Sequence, residues 1–111
     1  MWNFAKAYPI GYNHVMYQIQ QTDIFAKWLA KLKDKKATAR ILARVEFIRQ
    51  GHTGDSKSLG GGLHELRIHI GPGYRVYFTR RAGLVVLLLC GGDKSSQSKD
   101  IARARKVLSE L

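Results

Sequence analysis

The residue types best suited to chemistry are concentrated in the segment Leu63–Phe78, which reads LHELRIHIGPGYRVYF. Side chains alternate between the two faces of a β-strand, so Arg67 and His69 share one face while leucine and isoleucine occupy the other. With a turn over the Gly-Pro-Gly sequence, Arg67 is expected to lie opposite Tyr77. The same register places His69 opposite Arg75. Since guanidinium groups bind phosphate and aromatic rings stack on bases, the segment predicts a hairpin whose polar face binds RNA or DNA.

A second candidate phosphate contact lies in the run Gly91–Ser95, GGDKS. It is not a nucleotide-hydrolysing phosphate loop, because Asp93 interrupts the required ending and the upstream glycine spacing differs. A strand-to-helix junction still offers free backbone N–H groups and a helix dipole, so Lys94 is expected to bind an anionic phosphate. The alternative is that this junction only begins a helix, capped by Ser95 or Ser96.

The histidines predict proton transfer rather than metal binding. His52, His64 and His69 fall in a loop and on opposite faces of one strand, with no second cysteine, so no metal site is expected. His69 beside Arg75, or His64 at the start of the strand, can exchange protons near neutral pH, although a single strand histidine is more often structural. No small-molecule cofactor is predicted.

Composition limits the class of protein. The 111 residues suffice for one domain, and a net charge of +11, from nineteen basic and eight acidic residues, favours a polyanionic partner such as nucleic acid. The single cysteine, Cys90, ends the apolar run Leu84–Cys90 and is expected to be a buried hydrophobe, which fits a cytoplasmic protein. That run is far shorter than the roughly 20 apolar residues of a membrane span, so no membrane role is predicted.

Hydrophobic periodicity predicts the elements that position these residues. In chain order they are a strand over 15–20, a helix capped by Thr22, a second helix after the polar break 33–36, a loop over 50–62, the two hairpin strands, a strand over 84–90 that is covered on both faces, and a C-terminal helix. This order, β-α-α-β-β-β-α, predicts an α+β fold with a small, largely antiparallel sheet packed against helices.

Four motifs together resemble those of the RelE/HigB superfamily of toxin–antitoxin killer proteins. They read FAKWLAKLKD, GDSK, ELRIHIGPGYRVYF and LLLCGGDKSSQSKDI, and the spacing of GYRVYF and GGDKSSQ is the most specific part. The likeness covers Met16 to Leu111. Residues 1–15 are therefore expected to be an N-terminal extension, outside a toxin domain of residues 16–111.

The resemblance implies a metal-independent endoribonuclease that cuts messenger RNA in the ribosomal decoding site. Family activity depends on basic residues of the sheet and of the last helix, which correspond by position to Arg67, Arg75 and Lys94. Some members carry a tyrosine near the start of the last helix, where Asp100 stands in this chain. His69 and Asp100 are therefore the candidates for proton transfer.

The resemblance also implies partners: a cognate antitoxin, often a helix-turn-helix DNA-binding protein, together with the ribosome and its messenger RNA. The residues expected to contact RNA or the ribosome are Lys31, Lys35, Arg40, Lys57, His64 and Tyr77. Two alternatives remain open. One is a DNA gyrase inhibitor of the related ParE branch, without nuclease activity, and the other is an RNA-binding module that does not cleave.

Overall fold

The computed structural model describes residues 16–111, which form one five-stranded mixed sheet with helices on both faces. In chain order the elements are β1 (Gln18–Gln21), α1 (Asp23–Lys31), α2 (Lys35–Arg49), β2 (Ser56–Gly60), β3 (Leu63–Ile68), β4 (Tyr74–Arg81), β5 (Val85–Asp93) and α3 (Gln97–Ser109). The strand order across the sheet is β1-β5-β4-β3-β2, and only β1 and β5 run parallel. The α+β architecture is as predicted. The extension predicted for residues 1–15 lies outside the described residues.

The first helices begin where their capping residues stand. Thr22 Oγ1 accepts a hydrogen bond from the backbone N–H of Phe25 at 3.1 Å, which confirms the predicted cap of α1. The same hydroxyl donates to the carbonyl of Leu89 at 2.7 Å and so ties the start of α1 to β5. Asp34 caps α2 in the same way, by accepting from the N–H of Ala37 at 3.1 Å.

Two apolar layers cover the two faces of the sheet. On one face, α1 and α2 pack against alternate residues of β3, β4 and β5; the largest fully buried members are Phe25, Ile41, Leu66, Ile68 and Phe78. On the other face α3 packs against Leu63, Tyr77, Leu87, Leu89 and Cys90. Strand β5 is therefore covered on both faces, as its continuous apolar run predicted. No helix within residues 16–111 is long and apolar enough to cross a membrane.

Strand β2 corrects the prediction of a loop over 50–62. Its sequence, SKSLG, has little β-propensity, yet it pairs antiparallel with β3 at the sheet edge. The pairing needs backbone hydrogen bonds rather than particular side chains, and the N–H of Arg67 extends it by donating to the carbonyl of Asp55 at 2.9 Å. Sequence periodicity does not register such a strand, because its partner supplies the stabilisation.

The register of the β3–β4 hairpin also differs from the prediction, by two residues. Arg67 lies opposite Arg75 and Ile68 opposite Tyr74, so β3 ends before His69. The connection is longer than three residues because the N–H of Gly73 bonds to the carbonyl of Ile70 at 3.0 Å, inside the turn. A shift of two preserves the two faces, but it places the two arginines side by side and moves the histidine out of the strand.

Two buried glycines let helices approach β5 from opposite sides. A Cβ atom on Gly91 would lie 2.4 Å from the ring of Trp28 in α1, and one on Gly92 would lie 1.8 Å from Oδ2 of Asp100 in α3. At both glycines the neighbouring helix occupies the space that a side chain would need. The glycines therefore let α1 and α3 pack closely against the last part of β5.

Gly91→Ala is expected to destabilise the protein, because its methyl group must displace the Trp28 ring. Overpacking of this kind costs about 1–3 kcal/mol. Urea denaturation followed by circular dichroism measures the change in the free energy of unfolding. Ser98→Ala, at an exposed position of α3, is the control and should change little. Equal stability of the two variants would contradict the packing argument.

Candidate active site

A hollow of about 410 Å³ opens at the turn end of the hairpin. Its lining residues come from β3, β4, the turn between them and the 3-10 helix that follows β5; they are Arg67, His69, Ile70, Gly71, Pro72, Gly73, Arg75 and Lys94. The three residues predicted to be catalytic and one of the two predicted proton-transfer residues therefore meet around one space. Separate elements supply them, so only the folded sheet brings them together.

Arg75 forms a long ion pair with a buried carboxyl group. Only 8% of Arg75 is exposed, and its Nε lies 3.9 Å from Oε2 of Glu65, which is fully buried. Gln97, the first residue of α3, donates a hydrogen bond to the same oxygen at 2.7 Å. Among the described residues the other oxygen of Glu65 has no hydrogen-bond partner. The start of α3 thus binds the carboxyl group that pairs with Arg75.

Arg67 and His69 share a single carboxylate, that of Asp55. Oδ1 of Asp55 accepts hydrogen bonds from Nε and Nη2 of Arg67 at 3.1 and 2.9 Å, and Oδ2 pairs with Nε2 of His69. The hydrogen bond with His69, and then those with Arg67, lower the pKa of Asp55. Sequence reasoning missed this residue because it falls in the segment predicted as a loop. The available signal was an isolated acid in the GDSK motif of a strongly basic chain.

Lys94 leaves the sheet at a capped junction. Asp93 Oδ1 accepts a hydrogen bond from the N–H of Ser95 at 2.8 Å, and Ser96 completes a capping box for the short 3-10 helix Lys94–Ser96. The cap is therefore Asp93, the residue that interrupts the phosphate-loop pattern, rather than either serine alone. Lys94 is exposed, and its Cβ would lie 3.7 Å from a Cβ on Gly73, so it faces the hairpin turn.

Tyr77 and Asp100 do not line the hollow, which corrects two predictions. Tyr77 is fully buried under α3, where burial and the nearby Glu65 and Asp100 raise its pKa, so its ring cannot stack on a base. Asp100 is 6% exposed and accepts a hydrogen bond from Ser96 Oγ at 2.5 Å. RNA cannot reach either group. The alternation predicted the face correctly, but α3 covers this part of it.

His64 also lies apart from the hollow. Its ring stacks on Phe78 with centroids 5.2 Å apart, on the face of the sheet that packs against α2. Burial, together with the charge of Arg80, lowers the pKa of His64 below its ordinary value. These contacts give His64 a packing role and no contact with Arg67 or Arg75.

The four basic residues predicted to contact ribosomal RNA are all exposed, and they lie on different parts of the surface. Lys57 pairs across the sheet with Glu65, so it projects from the same face as Arg67. Lys35 begins α2, and Arg40 follows on the same helix, which covers the opposite face. Lys31 borders a different hollow, of about 330 Å³, beside Trp28.

Comparison with sequence families gives a match over residues 27–109, to the family described as Phage derived protein Gp49-like (DUF891). The chain belongs to this family. A protein of Haemophilus influenzae, described as uncharacterized, is 50% identical to this Gp49-like chain over 94 residues. The match covers 85% of the chain and 95% of the relative. The two proteins therefore share nearly their whole length.

Solved structures of Escherichia coli RelE share the fold of this Gp49-like protein. A mutant of the toxin RelE in the free state superposes with a TM-score of 0.65 at 18% identity, over 83% of this chain and 97% of RelE. RelE in the intact RelBE toxin–antitoxin complex gives a TM-score of 0.55 at 18% identity, over 69% and 95% of the two chains. The predicted RelE-like fold is confirmed.

Gln97→Leu is expected to destabilise the protein, because it removes the short hydrogen bond to the buried carboxyl group of Glu65. Leaving such a group unsatisfied costs about 1–3 kcal/mol. Chemical denaturation measures this loss. Gln50→Leu is the control, since within residues 16–111 the Gln50 side chain bonds to the exposed carboxylate of Glu46. A loss no larger than that of the control would show that Gln97 does not support Glu65.

The lowered pKa of His64 makes stability depend on pH. Below its ordinary pKa of 6.5 the unfolded chain binds a proton that the folded chain resists, so acid favours unfolding until the lowered folded pKa is passed. The wild type should therefore lose stability relative to His64→Gln as the pH falls from 7 toward the folded pKa, because the variant lacks the titrating ring. Thermal denaturation across that range measures it. Parallel curves for the two proteins would contradict the pKa shift.

Proposed function

We propose that this protein is the toxin of a toxin–antitoxin module and an endoribonuclease that cleaves messenger RNA on the ribosome. The observation that carries the proposal is the convergence of Arg67, Arg75 and Lys94 with His69 around one open hollow. The RelE fold supports it, because the hollow lies on a scaffold that RelE toxins share. Three cations and one titratable ring suit a phosphodiester better than a neutral or cationic ligand.

In the proposed reaction, the 2′-oxygen of a ribose attacks the adjacent phosphorus. A bond forms between them, the bond to the 5′-oxygen breaks, and the products are a 2′,3′-cyclic phosphate and a free 5′-hydroxyl. Arg75 and Lys94 stabilise the negative charge that develops on the phosphate oxygens, and Arg67 orients the phosphate. His69 accepts the proton of the 2′-hydroxyl, and water supplies a proton to the leaving oxygen. The chemistry requires RNA, because DNA lacks the nucleophile.

The net charge of +11 suits the proposed partners. Exposed lysines such as Lys57 and Lys35 would contact phosphates of ribosomal RNA. Such contacts position the enzyme without reading the RNA sequence. Lys31 and Arg40 extend this basic surface around the molecule. A cognate antitoxin would mask the hollow; a chain of this fold occurs in the RelBE toxin–antitoxin complex.

The alternative functions fit the site less well. A gyrase inhibitor of the ParE type has no need for three cations and a histidine around one hollow. A non-cleaving RNA-binding module would use aromatic rings to stack on bases, and Tyr77, the ring predicted for that purpose, is fully buried. The site therefore favours cleavage over binding alone.

Arg75→Ala should strongly reduce cleavage, because the substitution removes one of the three cations that line the hollow. Loss of one group that stabilises the transition state lowers the rate about 10²–10³-fold. The test is to induce the full chain in bacteria and map the 5′ ends of messenger RNA after growth stops. Wild type should produce cuts within translated codons that are absent with Arg75→Ala.

Arg49→Ala is the matched control, since Arg49 is an arginine of α2 whose side chain pairs with Glu46 in solvent. It should cut like the wild type. Growth arrest without cuts would contradict the nuclease and favour gyrase inhibition. Cuts that persist in Arg75→Ala would contradict the role of the hollow, and no arrest at all would favour a passive RNA binder.

A further inference from the structure

Asp55 directly precedes the edge strand β2, and hydrogen bonds from both β3 and α2 hold its backbone in place. Its carbonyl accepts the backbone N–H of Arg67 at 2.9 Å. Arg44, reaching across from α2, donates through Nη2 to the same carbonyl at 3.4 Å and through Nη1 to the carbonyl of Arg67 at 2.7 Å. The Asp55 backbone is therefore held against β3, and its carboxylate has a defined position beside the hollow.

His69 depends on this carboxylate for its orientation. The residue follows the end of β3, and 70% of its side chain is exposed, so packing does little to fix its ring. Asp55 engages Nε2, which leaves Nδ1 as the nitrogen available to a substrate. This is the arrangement in which a carboxylate orients a histidine and selects its tautomer.

The charges around His69 make the carboxylate necessary. Among residues 16–111, the other ionisable groups that line the hollow are Arg67, Arg75 and Lys94, and all three are cations. Cations oppose the positive charge that an imidazole acquires when it accepts a proton. Asp55 is the carboxylate that contacts the ring, and it offsets this repulsion.

We propose that Asp55 is a positioning residue that makes His69 the proton acceptor of the reaction. This inference rests on the proposed function. Asp55 holds Nε2 so that Nδ1 takes the proton from the 2′-hydroxyl as the 2′-oxygen bonds to phosphorus. The imidazolium that forms is paired with the carboxylate, which carries no proton itself. The histidine then returns its proton to solvent, where it neutralises the hydroxide left when water protonates the 5′-oxygen.

A different role for Asp55 is to pair with Arg67 and leave His69 unaffected. The two roles differ in what is measured. An effect through Arg67 would weaken the binding of the phosphate and raise KM at every pH. An effect through His69 changes kcat and shifts the acidic limb of its pH profile, because removal of the negative charge makes the imidazole harder to protonate.

The experiment uses the purified full chain and ribosomes programmed with a defined messenger RNA, and measures cleavage rates at several concentrations of the programmed ribosomes from pH 5 to 9, which gives kcat and KM at each pH. The variants are Asp55→Asn, His69→Gln and the double variant. Glu46→Gln is the matched control, since Glu46 pairs with Arg49 on the exposed side of α2. We expect Asp55→Asn to lower the rate about 10–100-fold, the usual effect of removing the group that orients a functional histidine.

The acidic limb should move to lower pH with Asp55→Asn and disappear with His69→Gln. The double variant should be no slower than His69→Gln, because the two residues act as one unit. Additive losses, or an unmoved acidic limb with a raised KM, would overturn the role of Asp55 and leave the nuclease intact. Failure of the wild type to cleave would overturn the proposed function and this inference with it.

Discussion

Arg67 and Arg75 lie directly opposite each other on neighbouring strands, where like charges repel. Each is balanced by a carboxyl group that comes from elsewhere in the chain. Glu65 approaches Arg75 from beneath and Asp55 approaches Arg67 from the side. The paired strands bring the two arginines together. The two carboxyl groups offset the repulsion between them, so two cations can line one hollow.

The two carboxyl groups lie in different surroundings, and this difference separates their roles. Glu65 is fully buried under the start of α3, so it can only hold Arg75 in place. A buried ion pair of this kind adds little net stability, because desolvation offsets the attraction between the charges. Here the pair places a negative charge next to the guanidinium group of Arg75. Asp55 is partly exposed beside the open hollow, where its carboxylate pairs with Arg67 and with the ring of His69.

The end of β5 connects the helical layers to the hollow. Gly91 and Gly92 allow α1 and α3 to approach from the two sides, and Asp93 caps the turn that follows. The GGDKS sequence looks like a phosphate loop because both motifs need glycine where backbone and neighbours come close. Here the close neighbours are Trp28 and Asp100 rather than a nucleotide. The motif places Lys94 at the rim of the hollow by packing the protein, not by cradling a phosphate.

The sequence by itself determined what depends on composition and on local pattern. Composition gave the excess of positive charge, and local pattern gave the cap at Thr22, the two faces of the hairpin and the doubly covered strand β5. Alternation assigned Arg67 and Arg75 to one face because the period of a strand is fixed at two residues. The resemblance of short motifs to those of the RelE/HigB superfamily predicted the fold. The position of Lys94 near these arginines follows from that fold.

Only the tertiary structure decided the hairpin register, the existence of β2, the burial of Tyr77 and Asp100, and the contact of Asp55 with His69. These features depend on partners distant in sequence. The turn conformation sets the register, an edge strand is stabilised by its neighbour, and a polar face is exposed only where no helix covers it. No local pattern carries that information, because the same residues would satisfy the same periodicity with different partners.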